Sequence, residues 1–129
     1  MRTGTDRVLT THTGSLPRPT SGDVAANPPH EHEWTVFDEV TVPDDIVLIP
    51  GVIDSTRNYV EHPELVAQLI ERYAEIVGRE RVIAGTDCGF GTFAGFGAVH
   101  RDSCWAKLRA RGEGAALASR KLWASSARA

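Results

Sequence analysis

The run Ile46-Val47-Leu48-Ile49-Pro50-Gly51-Val52-Ile53-Asp54 is apolar almost without a break until it ends on a carboxylate. A strand with one wet face alternates apolar and polar residues. A strand covered on both faces, as in a parallel sheet, does not. The run therefore reads as a buried parallel strand, with a bulge or kink at Pro50, whose missing N–H is awkward in a ladder. The residues C-terminal to it fit a parallel sheet as well. Pro63 suits a first helical position. Leu65, Val66, Leu69, Ile70, Tyr73, Ile76 and Val77 recur at helical spacing, while Glu64, Gln68, Glu71, Arg72 and Glu75 fill the other face. Gly78 is a suitable stop. Arg81-Val82-Ile83-Ala84-Gly85-Thr86 reads as a second strand and Asp87 to Thr92 as a glycine-rich loop. A last helix, capped by Asp102 or Ser103, is expected to run to Trp123 and to bury Trp105, Leu108, Ala115, Ala116, Leu122 and Trp123. Gly112 and Gly114 weaken it by about 1 kcal/mol each. Strand, helix, strand, helix over 46–123 is an α/β arrangement with parallel strands and right-handed crossovers.

Toward the N-terminus, Arg7-Val8-Leu9-Thr10-Thr11 is a short β-prone run ended by Gly14 and Pro17. Pro17, Pro19, Pro28 and Pro29 exclude regular structure across most of 13–30. A short helix is expected around Glu31 to Phe37. The 129 residues make a single domain, 1–129. A complete (β/α)₈ barrel needs about 250 residues. With 14 Lys+Arg against 17 Asp+Glu, the chain has no broad basic surface for nucleic acid. No apolar run approaches the roughly 20 residues that span a bilayer. The polar N-terminus lacks the apolar stretch of a signal peptide, so the chain reads as cytoplasmic. Two cysteines are too few for a disulfide framework.

Functional groups in βα units gather at the carboxyl ends of strands. Here those ends carry His12 to Ser15, Asp54 to Arg57, and Thr86 to Cys88. Two readings stand for Cys88. It is a small buried thiol in a tight turn, or a thiolate that binds zinc or attacks an electrophile. Cys104 reads as a packing residue. His30-Glu31-His32-Glu33 lacks the i, i+4 histidine pair of a zinc helix and reads as a solvated surface. His12 reads as a hydrogen-bonded structural group, His62 as a helix entry and His100 as loop. Thr13-Gly14-Ser15 is either an ordinary turn or a set of backbone N–H groups able to hold an amino-acid carboxylate. Gly89-Phe90-Gly91 is no dinucleotide loop, because no G-x-G-x-x-G opens a helix after it. Arg7, Arg18 and Arg57 can each meet an anion or serve as surface charge.

Gly51-Val52-Ile53-Asp54, then Glu61, an amphipathic helix and Gly85-Thr86-Asp87-Cys88-Gly89-Phe90, resembles the C-terminal part of cobalamin-independent methionine synthases, above all their short single-barrel relatives. Leu9 to Arg18 resembles the first barrel strand of the same group, and Ala25 to Trp34 another of its segments. The resemblance implies a (β/α)₈ barrel that uses zinc and no cobalamin. Zinc lowers the pKa of a thiol, homocysteine in the synthases, which then attacks the methyl group of a methyl-folate. Cys88 matches the last zinc cysteine of the family. Thr13, Gly14 and Ser15 match the turn that contacts the amino-acid substrate.

The departures carry equal weight. No His-x-Cys pair occurs in the chain, and Val24 stands where the family places a zinc-binding Glu. Thr56 stands where the synthases have a proton-donating His. The first strand, 7–12, is joined to late-barrel sequence, 24–123, through Ser21-Gly22-Asp23. About 120 residues of a typical barrel are absent between them. The resemblance therefore implies an internally deleted, partial barrel: a parallel patch of seventh, eighth and first strands under covering helices. Such a member would have impaired or no methyltransferase activity and would hold zinc weakly. Its exposed strand edges would let it self-associate or bind another chain instead.

Overall fold

The computed structural model describes residues 4–10, 28–91 and 97–124. The elements in order are β1 (Leu9–Thr10), a 3-10 helix (Pro28–Asp38), α1 (Pro63–Val77), a 3-10 turn (Arg79–Arg81), β2 (Ile83–Ala84) and α2 (Arg101–Ala124). β1 pairs with β2 in parallel, Leu9 against Ile83 and Thr10 against Ala84. On the other flank of β2, parallel bridges join Leu48 to Val82 and Gly51 to Gly85. The spatial order is therefore 48–51, 82–85, 9–10, all parallel.

The expected strand over 46–54 is reduced to those two bridges, and Pro50 explains why. Leu48 donates to Arg81 O and accepts from Ile83 N, Pro50 O accepts from Gly85 N, and Val52 donates to Gly85 O, at 2.9 to 3.2 Å. The rung absent from this series is the one a residue-50 N–H would make to Ile83 O. Proline has no such proton. The expected first strand, 7–12, is likewise shorter: only Leu9–Thr10 forms it, and residues 11 and 12 lie outside the described set.

α1 follows its pattern closely. His62 caps it, its Nδ1 accepting from Glu64 N at 3.2 Å, Pro63 opens it, and Gly78 at φ 87° ends it. That φ lies in the region only glycine adopts without penalty. Val66, Ala67, Leu69, Ile70, Tyr73, Ala74 and Val77 are buried. They pack with Val8, Val52, Ile53, Val82 and Ala84 of the sheet and with Ala115 and Ala118 of α2. Leu65, expected on this face, is exposed. The helix expected near 31–37 is instead a 3-10 helix that begins three residues earlier, at Pro28. Its Trp34 and Phe37 close one side of the core, and Phe37 meets Tyr73 edge-on at 6.4 Å.

α2 departs most from expectation. Its buried residues are Lys107, Ala110, Arg111, Gly114, Ala115 and Ala118. Trp105 is 65% exposed, and Ala116 also faces out. The helix turns its small residues toward α1, and two cations share that face. Lys121 of α2 reaches Glu71 at 2.9 Å and Glu64 at 3.4 Å across the α1–α2 seam. Among the described residues, no helix is long and apolar enough to cross a membrane.

Candidate functional site

The chain from Asp54 to His62 leaves the carboxyl end of the 48–53 segment and must turn back to enter α1. Its polar groups are fixed by a small buried network. Asp54 and Lys107 have no exposed surface, and Glu61 is 6% exposed. Lys107 Nζ donates to both Glu61 carboxylate oxygens at 2.9 Å. Glu61 Oε1 also accepts from Asp54 N at 2.7 Å. Asp54 Oδ1 accepts from Thr56 N at 2.7 Å and from Thr56 Oγ1 at 2.6 Å. Tyr59 OH faces Asp54 Oδ2 at 3.4 Å, and Lys107 Nζ lies 4.4 Å from the Tyr59 ring centroid. Farther out, Asn58 Nδ2 donates to Ala98 O at 3.1 Å, and His100 N donates to Asn58 Oδ1 at 2.6 Å. The loop is thus tied to α2 at its root and to residues 98–100 at its tip.

The network is charge-balanced by geometry. A lysine taken out of water needs a carboxylate, and a carboxylate needs donors for its remaining lone pairs. Glu61 has both, from Lys107 and the Asp54 amide. Desolvation by burial, then the charges of Asp54 and Glu61, push the Tyr59 phenol up to about 12. Tyr59 therefore stays a neutral hydrogen-bond donor through the neutral range. The shift has a thermodynamic sign. A group whose folded pKa lies above its unfolded value contributes stability that is whole below the unfolded pKa and falls as pH rises through the folded one. The unfolded value is 10.0, so the Tyr59 contribution declines between pH 10.0 and about 12. Alkaline titration of the phenolate absorbance should show one tyrosine with a midpoint near that upper value. The signal should vanish in Tyr59→Phe. A midpoint near 10 for the lost signal would show that the phenol is neither desolvated nor held beside Asp54 and Glu61.

Two hydroxyls close by are left over. Ser55 Oγ and Thr86 Oγ1 are buried and have no hydrogen-bond partner among the described residues. They sit at the carboxyl ends of neighbouring strand segments. Arg111, one helical turn beyond Lys107, is 8% exposed, and burial lowers its pKa from the ordinary guanidinium value.

The sequence placed Asp54 to Arg57 and Thr86 to Cys88 at strand ends, and the structure brings these segments together: Asp87 N donates to Ile53 O at 3.1 Å. Cys88 is half-buried, and Gly89 beyond it is exposed. Zinc sites take three or four protein ligands. Among the described residues, no three His, Cys, Asp or Glu side chains are grouped to hold a metal. Thr13, Gly14, Ser15 and His12 lie outside the described residues, as do the side chains of His30, Glu31 and Glu33. His32 is exposed. Thr56 serves as a donor to Asp54.

Lys107 and Arg111 have no place in the sequence reading. Their signal is spacing: positions 107, 111, 114, 115 and 118 fall on one helical face with the alanines.

No protein-family model and no curated protein matches the chain. Among solved structures, the chain is similar to a B12-independent methionine synthase from Shewanella sp. W3-18-1, solved in complex with selenomethionine. The TM-score is 0.57 at 18% identity, over 91% of this chain. The relationship is distant and structural. The likeness spans only 27% of the synthase, so what is shared is a mixed α/β fold across part of that enzyme's length.

Proposed function

We propose that this chain is a piece of a methionine-synthase-like barrel that, alone, does not transfer methyl groups from a methyl-folate to a thiol. One observation carries the reading. The strand segments stand in the parallel order 48–51, 82–85, 9–10, so the first strand of the chain lies beside the last. First and last strands are neighbours when a sheet closes on itself. An ordinary open βαβ unit has no need to place them so. The likeness to part of a synthase, at a TM-score of 0.57, supports the same reading.

The Asp54–Glu61–Lys107 network then belongs to the mouth of the barrel, where it holds the loop between strand and α1 in place. Ser55 and Thr86 bring buried hydroxyls to the same end. The metal set that the family's chemistry requires is not supplied by the described residues around Cys88.

The test assays the purified full chain, with zinc present, for methyl transfer from methyltetrahydrofolate to homocysteine, and measures bound zinc after dialysis. The expected result is no turnover and no tightly held equivalent of zinc. Turnover, or a tight equivalent of zinc per chain, either of them lost in Cys88→Ala and kept in Cys104→Ala, would overturn the reading.

A further inference from the structure

The two edges of the strand patch carry opposite charge. On one side, Leu48, Pro50 and Val52 bond to the central strand, which leaves the backbone groups of Ile49 and Gly51 directed away from it. The lead-in to this edge bears Asp38, Glu39, Asp44 and Asp45, all exposed. Only Asp44 meets a cation, Arg81 at 3.6 Å, among the described residues. The same lead-in exposes two large apolar side chains, Val40 at 45% and Ile46 at 42%.

On the other side, β1 borders a cleft of about 580 Å³ against α2. Small residues, Gly112, Ala115, Ala116 and Ser119, form its helical wall, and both charged residues that line it are arginines, Arg7 and Arg120. Val8 N donates to Ser119 Oγ at 3.0 Å, which fixes Arg120 near the start of β1.

The two edges also match in level. Leu9 pairs with Ile83 and Leu48 with Val82, so Leu9 is level with Ile49, and Arg7 with Val47, two residues from Asp45. At about 3.3 Å per residue, that offset is about 7 Å, within the reach of an arginine side chain. All strands run the same way. A parallel strand added to β1 without a shift of register therefore brings its N-terminal lead-in to Arg7 and Arg120.

We propose that this chain associates head to tail with a second copy of itself. The 46–51 edge of one copy extends the sheet at Leu9–Thr10 of the next. Its acidic lead-in lies against Arg7 and Arg120. Parallel backbone pairing supplies the contact, as in strand addition at an edge that no described strand covers, with Thr10 as the outward residue of β1 left free, since Val8 N already donates to Ser119 Oγ. Opposite charges select the partner edge, since the acidic edge is repelled by its own kind. The contact is heterologous, so each assembled copy keeps one edge of each sign, and the product is a ring or an open chain rather than a two-fold dimer.

The test uses the full chain and two exposed double variants, each checked by circular dichroism for an unchanged fold. Arg7→Glu/Arg120→Glu removes the basic edge and leaves the acidic one. Asp38→Lys/Asp45→Lys does the reverse and leaves Asp44 with Arg81. By sedimentation velocity the wild type associates, and its affinity falls about tenfold or more between about 50 and 500 mM salt. Each variant alone is monomeric where the wild type is associated, and the two mixed assemble again, through their intact edges and through the pair of edges whose charges are exchanged. A wild type that stays monomeric throughout the accessible concentration range overturns the proposal. So does a variant that associates as the wild type does, or a mixture that stays monomeric while the wild type assembles. The readout is assembly alone, so its failure leaves the reading of methyl transfer untouched.

Discussion

Lys107→Ala should destabilise the protein by about 3–5 kcal/mol, the range measured when one member of a buried ion pair is removed. Domains of this size are held by about 5–15 kcal/mol, so the variant should be near the edge of folding. Most of the loss comes from what remains. Glu61 is 6% exposed and, without Lys107, would keep a single donor, the Asp54 amide at 2.7 Å. A carboxylate buried in that state must protonate, find water or drag the 54–61 loop outward. Each route disturbs Asp54, and through it Thr56 and Tyr59. Replacing both partners separates the charge from the packing. Lys107→Met/Glu61→Gln fills similar volume and keeps an oxygen for the Asp54 amide. It should recover most of the lost stability, with a coupling energy of about 2–3 kcal/mol between the two sites. Urea unfolding of wild type, Lys107→Met, Glu61→Gln and the double variant closes the cycle. A Lys107→Ala variant within about 1 kcal/mol of wild type would show that the ammonium is solvated and the pair is of the surface kind.

This pair also marks where sequence reasoning stops. The strand segments were legible because their residues answer a local question: an unbroken apolar run has no wet face. α1 was legible for the same reason, since its apolar stripe, Pro63 and Gly78 are all read within one segment. Even the break at Pro50 follows from a single absent proton. α2 offered no such signal. Its inward face is made of alanine, glycine and two cations, and its first tryptophan, Trp105, points to solvent. Charged residues are ordinarily solvated, and only a partner 46 residues away in the chain makes Lys107 an exception. Glu61 could be seen before the helix, but its acceptor role depends on a fold that brings Asp54 back to it. Sequence patterning finds which surfaces must be covered. It does not find which buried charges have met.

The two glycines of α2 should respond in opposite directions to the same substitution. Taken as a sequence, Gly112 and Gly114 are equal faults in a helix, each less favourable than alanine by about 1 kcal/mol. In the fold they differ. A Cβ at Gly112 meets nothing within 4 Å, whereas one at Gly114 would lie 2.5 Å from Val66 Cβ and Cγ1 and 2.8 Å from Pro63 O. Gly112→Ala should therefore stabilise by about 0.5–1 kcal/mol, the full return of helix propensity. Gly114→Ala gains the same propensity but forces α1 and α2 apart where the start of α1 crosses α2. Overpacking costs about 1–3 kcal/mol when side chains alone must move. Here a backbone carbonyl is also in the way, so the upper end applies, and the net effect should be a loss of about 1–2 kcal/mol. Gly114→Leu should exceed it, because no rotamer escapes both Val66 and the carbonyl. Thermal unfolding of the pair of alanine variants gives the sign directly. If both rise together, the helices do not approach this closely at residue 114. Lys107 lies two turns nearer the α2 N-terminus on the same face and depends on that approach, so its burial against Glu61 would fall with it.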